Sequence, residues 1–460
     1  MLNSCAKLQS GKNQTKQTSM SKDISISSIL NKFEIKSLNP MQERARKTIR
    51  SKSDVVLLSP TGTGKTLAFL IPLIEKLDTS SDEIQSLILV PSRELAQQIE
   101  QVVRKMGTGF KVNAVYGGRA GSLDKLDLKH KPAILIGTPG RIADRFRRDN
   151  YNLNSIETLI LDEFDKSLEI GFEGEMTEIM ETLPFVSQRI LTSATTDAKI
   201  PKFVGLKDPV FIDYLQQSGG SKLAIKTILS PEKDKLETLE KLLNALGNQP
   251  GIIFCNYKDG LNRVSDFLNN KNIKHSCFHG DMEQIEREKS LVKFRNGTNQ
   301  LLLATDLAAR GLDIPEITFI LHYHLPPHYK EFTHRNGRTA RMNKKGVAYI
   351  LQWQEEELPE FLQEMPIEQE EIEVLKRTKS PKLVEWTTLF ISGGRKDKIS
   401  KGDIAGLFFK QGGAEKDQVG IIEIQQNGSY VGVYSSAAQS LIEKTNNTRL
   451  KKKKVRVREV

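Results

Sequence analysis

Between the apolar run DVVLL and an amphipathic stretch, the chain reads SPTGTGKT from Ser59 to Thr66. A glycine-rich turn joining a strand to a helix is the arrangement that cradles phosphate. Thr61, Gly62, Thr63 and Gly64 are expected to turn backbone N–H groups toward the anion, and the helix adds its positive N-terminal end. Lys65 would reach the β- and γ-phosphates, and the Thr66 hydroxyl would hold Mg²⁺. Farther on, the apolar run TLIL ends in Asp162, Glu163, Phe164 and Asp165. Carboxylates at the C-terminal end of a parallel strand stand where ligands of such sheets bind. Asp162 is the expected Mg²⁺ partner, partly through water, and Glu163 is placed to orient and deprotonate an attacking water.

Transfer of a phosphoryl group also needs its charge neutralised, often by arginines from another domain, an effect worth about 10³ to 10⁵ in rate. The stretch His334 to Arg341 reads HRNGRTAR. Its spacing predicts Arg335, Arg338 and Arg341 on one face of a helix. Taken alone, this stretch could equally be a solvated basic helix, and the acidic quartet an ordinary turn. A lysine and arginines so far apart in sequence imply two lobes that must meet for hydrolysis.

The elements that would position these residues follow from periodicity. From Asp54 onward short apolar runs (DVVLLS, SLILV, AILIG, TLILD, RILTSAT) alternate with amphipathic stretches, the signature of a parallel α/β sheet. Polar, glycine-rich sequence at residues 215–223 reads as a linker. A second alternation follows (GIIFCN, HSCFHG, QLLLATD, TFILHYHLP, GVAYILQ). The domains expected are an N-terminal extension at 1–22 without fixed structure, a first lobe at 23–214, a second at 224–365, and a solvated acidic connector at 366–384. Residues 385–460 read as strand, helix, strand, strand, helix, strand, the split βαβ order of a small α+β domain like the RNA-recognition modules. There the Lys401 to Gln411 stretch is the first helix, and KKVRVREV a single final strand.

Composition narrows the partners. Lys and Arg exceed Asp and Glu by 11, which favours a polyanion such as nucleic acid. The three cysteines form no C-x-x-C pair, so neither a disulfide framework nor a zinc site is indicated, and a reducing compartment fits. No apolar run approaches the roughly 18 residues that span a bilayer, and the first residues lack the apolar stretch of a secretory signal. A cytoplasmic protein acting as a monomer, without a membrane partner, is the expectation.

Read together, these segments resemble the DEAD-box RNA helicases from Ser28 to Trp353, in the family's order. The resemblance rests on NPMQ, SPTGTGKT, PSRELA, Gly117 and Gly118, TPGR, DEFD, SAT, IIFCN, Gln284 with Arg287, ATDLAARGLDI and HRNGRTAR. It implies two RecA-like lobes, ATP with Mg²⁺, and RNA as partner. By the same resemblance Gln42 reads adenine, Asp313 contacts ribose, and Arg338 and Arg341 contact the γ-phosphate. Asp165, Ser193 and Thr195 would couple the lobes. Pro91, Arg93, Gly118, Thr138, Pro139, Gly140 and Arg141 would line the RNA path in the first lobe, and Gln284, Arg287, Thr305 and Arg310 in the second. The last seventy-odd residues resemble the RNA-binding domain of a bacterial branch of this family that acts on large-subunit ribosomal RNA. Phe390 and Tyr430 are its candidate stacking aromatics, and Lys452 and Arg456 lie in its basic tail.

The chain departs from the family pattern in three places. Phe164 stands where a small alanine is usual, Asn336 and Ala340 replace an apolar residue and a glycine, and the aromatic upstream of Gln42 is not evident near Ile24 to Ile26. A ring added to a packed sheet edge costs about 1–3 kcal/mol unless its surroundings adapt. An RNA-binding scaffold with a decayed ATPase and a DNA-stimulated motor on the same architecture both remain compatible with the sequence. So do general RNA remodelling and mRNA decay as alternatives to a ribosomal target.

Overall fold

The structure, a computed structural model, describes residues 25–51, 53–118, 130–149, 151–195, 200–215, 223–306, 317–339, 346–363, 365–375 and 385–460. The N-terminal extension, nearly all of the expected linker, and Arg310, Asp313 and Arg341 lie outside these residues.

The first lobe is built on β1 (Val55–Leu58), β2 (Ser86–Leu89), β3 (Val112–Val115), β4 (Ile134–Gly137), β5 (Thr158–Leu161), β6 (Gln188–Ser193) and β7 (Val210–Asp213). They pair in parallel in the order β3-β4-β2-β5-β6-β1-β7. Their near-continuous apolar sequence follows from burial on both faces. Ile88, Ile136 and Ile160 point into one core cluster, and Leu87, Leu135 and Leu159 into the other.

The second lobe repeats the plan with β8 (Leu223–Ser230), β9 (Gly251–Phe254), β10 (His275–Phe278), β11 (Leu301–Ala304), β12 (Phe319–His322), β13 (Gly346–Trp353) and β14 (Glu368–Gln369). The order β10-β11-β9-β12-β13-β8-β14 is the same permutation as in the first lobe. The acidic connector is therefore corrected in part. Glu368 and Gln369 form the seventh strand, Ile372 is buried in the lobe core, and Glu370 pairs with Lys226. Sparse isoleucines among glutamates were enough to seat the segment on the sheet edge.

The C-terminal domain contains β15 (Trp386–Ile391), β16 (Val419–Ile424), β17 (Ser429–Tyr434), a hairpin of β18 (Arg449–Leu450) with β19 (Lys453–Lys454), and β20 (Val457–Glu459). Its antiparallel sheet runs β16-β17-β15-β20. Two helical segments, Lys401–Gly406 continuing into Leu407–Gln411, and Ser435–Thr445, cover one face, with Phe408 and Leu441 packed in one core with Leu389 and Val431. The expected element order holds, but KKVRVREV is not one strand: Lys453 and Lys454 pair back on β18 across a turn at Lys451 (φ 54°), and β20 starts only at Val457.

The other sheet face is not open. Asn296 donates to the Thr388 hydroxyl at 3.3 Å, the Thr298 and Thr388 hydroxyls lie 2.7 Å apart, and Arg295 pairs with Glu423 at 3.2 Å. The end of the second-lobe helix Gln284–Arg295 and the turn after it thus dock on the sheet. Tyr430 is only 4% exposed, and burial pushes its hydroxyl up to about 12. The expectation of an open Tyr430 ring is corrected: a helicase lobe occupies the surface that would have presented it.

Candidate nucleotide and RNA site

Because β6 lies between β5 and β1, the sheet brings the carboxylates after β5 beside the phosphate loop after β1. Gly64 opens the helix Lys65–Lys76 at φ 89°, a conformation that favours glycine. The Lys65 ammonium donates to the Ser59 and Pro60 carbonyls at 2.5 and 2.9 Å. Burial lowers its pKa, and the nearby Glu163, Asp162 and Asp165 charges oppose that shift. Two residues before the loop brace it. The Gln42 amide donates to the Gly64 carbonyl at 3.1 Å, and that of Asn39 to the Thr63 carbonyl at 3.0 Å. The expected adenine reader is therefore also tied to the phosphate cradle, and Asn39, which had no role of its own within NPMQ, caps the helix Pro40–Arg50.

Asp162 is buried, and desolvation together with the Glu163 charge raises its pKa to about 6. Thr192 on β6 donates its hydroxyl proton to Asp162 and accepts the Glu163 N–H at 3.2 Å. Glu163 itself turns the corner at φ 50°, a left-handed conformation costing about 1–2 kcal/mol outside glycine. Thr192 thus holds both carboxylate-bearing residues at once. Its sequence signal was faint: it directly precedes SAT. A carboxylate kept buried with a raised pKa suits a divalent cation, and few protein ligands are expected where phosphates supply the rest. Ser193 and Thr195 close on each other, with the Thr195 N–H donating to the Ser193 hydroxyl at 3.0 Å. Phe164 is buried in the core that includes Leu89, Leu161 and Ile179, so the ring is absorbed by the lobe interior.

The arginine segment differs from expectation. Its helix, Tyr329–Asn336, ends before Gly337, so Arg335 and Arg338 do not share a helical face. Arg335 is 1% exposed and points inward, bidentate to Asp306 at 2.6 Å and hydrogen bonded to the Asn256 amide oxygen and the His324 carbonyl. Arg338, released by the helix end, lies close enough to Lys65 for its charge to lower the lysine pKa. Asn336 is reconciled with its buried setting by His322, whose Nε2 lies 3.0 Å from the amide oxygen. Burial and Arg335 push His322 down to about 3, so it is neutral and donates. Where the lobes touch, the Thr61 hydroxyl donates to the Gly337 carbonyl at 3.1 Å, and a Cβ at Gly337 would collide with that hydroxyl.

Along the neighbouring rim, three side chains cross between lobes. Arg93 donates to Gln284 at 3.2 Å, Glu94 pairs with Arg287 at 2.9 Å, and Gln97 donates to Glu288 at 3.2 Å. The Arg93 guanidinium lies against Gly118, which has φ 80°. Gln284 and Arg287, expected at RNA, are here engaged in lobe-to-lobe contacts that the sequence did not indicate. Pro91 precedes the helix Arg93–Met106, Thr138 stands just before the helix Pro139–Arg148 without a side-chain capping bond, Arg141 lies 3.5 Å from Asp144, and Thr305 follows β11. In the C-terminal domain Phe390 packs on Tyr430 beneath Arg458, whereas Lys452 and Arg456 are exposed.

Comparison with known proteins agrees with this geometry. Residues 39–203 match the DEAD/DEAH box helicase family, 234–343 the helicase conserved C-terminal domain, and 388–459 the DbpA RNA binding domain. The ATP-dependent RNA helicase DbpA of Escherichia coli is 30% identical over 442 residues, covering 93% of this chain and 96% of that protein. The chain belongs to the DEAD-box family of ATP-dependent RNA helicases. DbpA of Bacillus subtilis is 31% identical, covering 88% of this chain and 91% of its own. Among solved structures, S. cerevisiae Dbp5 bound to RNA and ADP BeF3 shares the two-lobe fold at TM-score 0.67 and 24% identity, over 76% of this chain and 95% of that one. Mss116p bound to ssRNA and AMP-PNP gives TM-score 0.65 at 26% identity, over 76% and 78%. This DEAD-box helicase is thus an RNA-dependent ATPase, similar to DbpA along most of its length. No helix among its described residues is long and apolar enough to cross a membrane.

Gly337→Ala should cut RNA-stimulated ATP turnover at least about tenfold, because it places a methyl group against Thr61, while equilibrium titration finds ATP binding retained. Turnover equal to wild type would show that the close approach is dispensable. Ionised Asp162 is the form that can hold a cation, so kcat/KM for ATP should fall as pH drops through about 6. Thr192→Val removes a hydrogen bond that favours the ionised form and should move that acid limb to higher pH.

Proposed function

We propose that ATP and single-stranded RNA bind across the cleft, that the lobes close on them, and that the RNA path then bends so that an adjacent duplex loses base pairs. Hydrolysis resets the cycle. The reading rests on one observation: groups suited to a triphosphate are split between lobes, with Lys65 and Glu163 on the first and Arg338 on the second, beside the Thr61 to Gly337 hydrogen bond. Lys65 exchanges its loop carbonyls for phosphate oxygens. Glu163 accepts the proton of the attacking water, and Arg338 offsets charge that develops on the γ-phosphate. Asp162 and Thr66 are the residues that would hold Mg²⁺, whose chemistry is to neutralise phosphate charge. Gln42 reads the base while keeping its hold on Gly64.

The C-terminal domain is assigned the task of targeting. We infer that it delivers the motor to structured ribosomal RNA during large-subunit assembly, as a cytoplasmic monomer. With the middle of its sheet covered by the second lobe, the exposed edge bearing Lys452 and Arg456 is the surface assigned to the RNA backbone, and binding should weaken as salt rises.

Arg338→Ala should abolish RNA-stimulated ATP hydrolysis while ATP binding remains measurable. Unchanged turnover would remove the arginine from the mechanism. Sequencing of RNA crosslinked to the full chain should recover large-subunit ribosomal RNA, and deletion of residues 386–460 should erase that enrichment. An identical RNA profile after deletion would end the targeting assignment.

A further inference from the structure

One lobe-to-lobe contact belongs neither to the phosphate site nor to the RNA rim. Immediately after Glu163, the short helix Phe164–Glu169 carries Asp165 and Glu169 on the side facing the second lobe. The Asp165 side chain is 1% exposed, and neither of its oxygens has a hydrogen bond. Lys166 on the same helix pairs with Glu169 at 3.0 Å. Asp165 is thus buried at the lobe boundary with only the charge of Lys65 acting on it from its own lobe, among the interactions described. A buried carboxylate is strongly unfavourable without a close cation, so a lobe closing over Asp165 is favoured by one from the opposite side.

Lys330 supplies it. Its ammonium lies 3.4 Å from Asp165 and is ion paired with Glu169; burial acts to lower the lysine pKa, but the Glu169 bond and the two carboxylate charges outweigh it and raise it. Lys330 is the second residue of the helix Tyr329–Asn336. Gly337, which accepts from Thr61, follows the other end of that helix, and Arg338 comes next. Two contacts with the first lobe, one at each end, fix the helix axis and with it the direction in which Arg338 leaves.

We propose that Lys330 is a positioning residue: its pairing with Asp165 and Glu169 stabilises the closed arrangement of the lobes and aligns Arg338, linking closure to the segment that bears Glu163. This rests on the closure mechanism proposed above and assigns it a residue outside the family motifs read from the sequence. Lys330 touches no reacting atom in this role, so its effect should appear in the closing equilibrium and not in nucleotide affinity without RNA.

The test places a fluorophore pair on the exposed surfaces of the two lobes of the full-length protein. Interlobe distance and ATPase rate are then followed with ATP and a single-stranded RNA oligonucleotide. Lys330→Met should lower the closed fraction and raise the RNA concentration for half-maximal turnover about tenfold, in keeping with the loss of a buried charge partner. ATP affinity without RNA should be unaltered. Lys330→Arg should retain most closure. Lys330→Glu should be worse than Lys330→Met, and adding Glu169→Lys to it should restore part of the loss. If the wild-type protein closes and Lys330→Met closes equally at the same RNA concentration, the role of Lys330 is overturned while closure stands. If the wild-type protein does not close at all, closure itself is overturned and this inference with it.

Discussion

A triphosphate concentrates negative charge that no single sheet edge in this protein is equipped to balance, and the chain's architecture answers that constraint. The first lobe offers one lysine, Lys65, beside three carboxylates, Asp162, Glu163 and Asp165, all close enough to raise its pKa. Its cleft is electrostatically incomplete without cations from elsewhere. Arg338 of the second lobe lies close enough to act on the Lys65 charge, and Lys330, near the other end of the same short helix, meets Asp165 and Glu169 beside the cleft. In the proposed mechanism charge balance and lobe contact are the same event, which sets the site between the lobes.

The repeated sheet order makes that event geometrically possible. In both lobes the strands follow the same permutation, so both C-terminal strand edges gather their loops in the same way. In the first lobe, β6 separates the phosphate loop from the carboxylates by one strand, and Thr192 on β6 bonds to both acidic positions. In the second lobe, Arg335 is held by Asp306, Asn256 and the ring of Phe254, which anchors the helix from within. One arginine is spent on rigidity so that the next can face the cleft.

Two departures from the family pattern, Phe164 and Asn336, are absorbed locally. Phe164 fills the lobe interior, and Asn336 is paired with His322, itself stacked 4.8 Å from Phe332. These two altered side chains have each found a complementary neighbour, and Ala340 lies outside the described residues. The C-terminal domain shows the same economy: Thr388 and Gly432 on its sheet pack against Asn296, leaving the basic hairpin outward.

What the sequence determined by itself was everything set by local backbone chemistry: the glycine turn before Lys65, the acidic strand end, the strand alternation, and the split βαβ order of the last domain. Residue type and spacing suffice there because each feature closes within a few residues. Only the tertiary structure decided that Arg335 faces inward while Arg338 faces the cleft, since Gly337 ends the helix between them. It also decided that Tyr430 is covered, that Thr192 braces two carboxylates, that Glu94 meets Arg287, and that Lys330 meets Asp165. Those pairings join positions far apart in the chain, and a charge or a ring carries no mark in sequence of the partner that packing will bring to it.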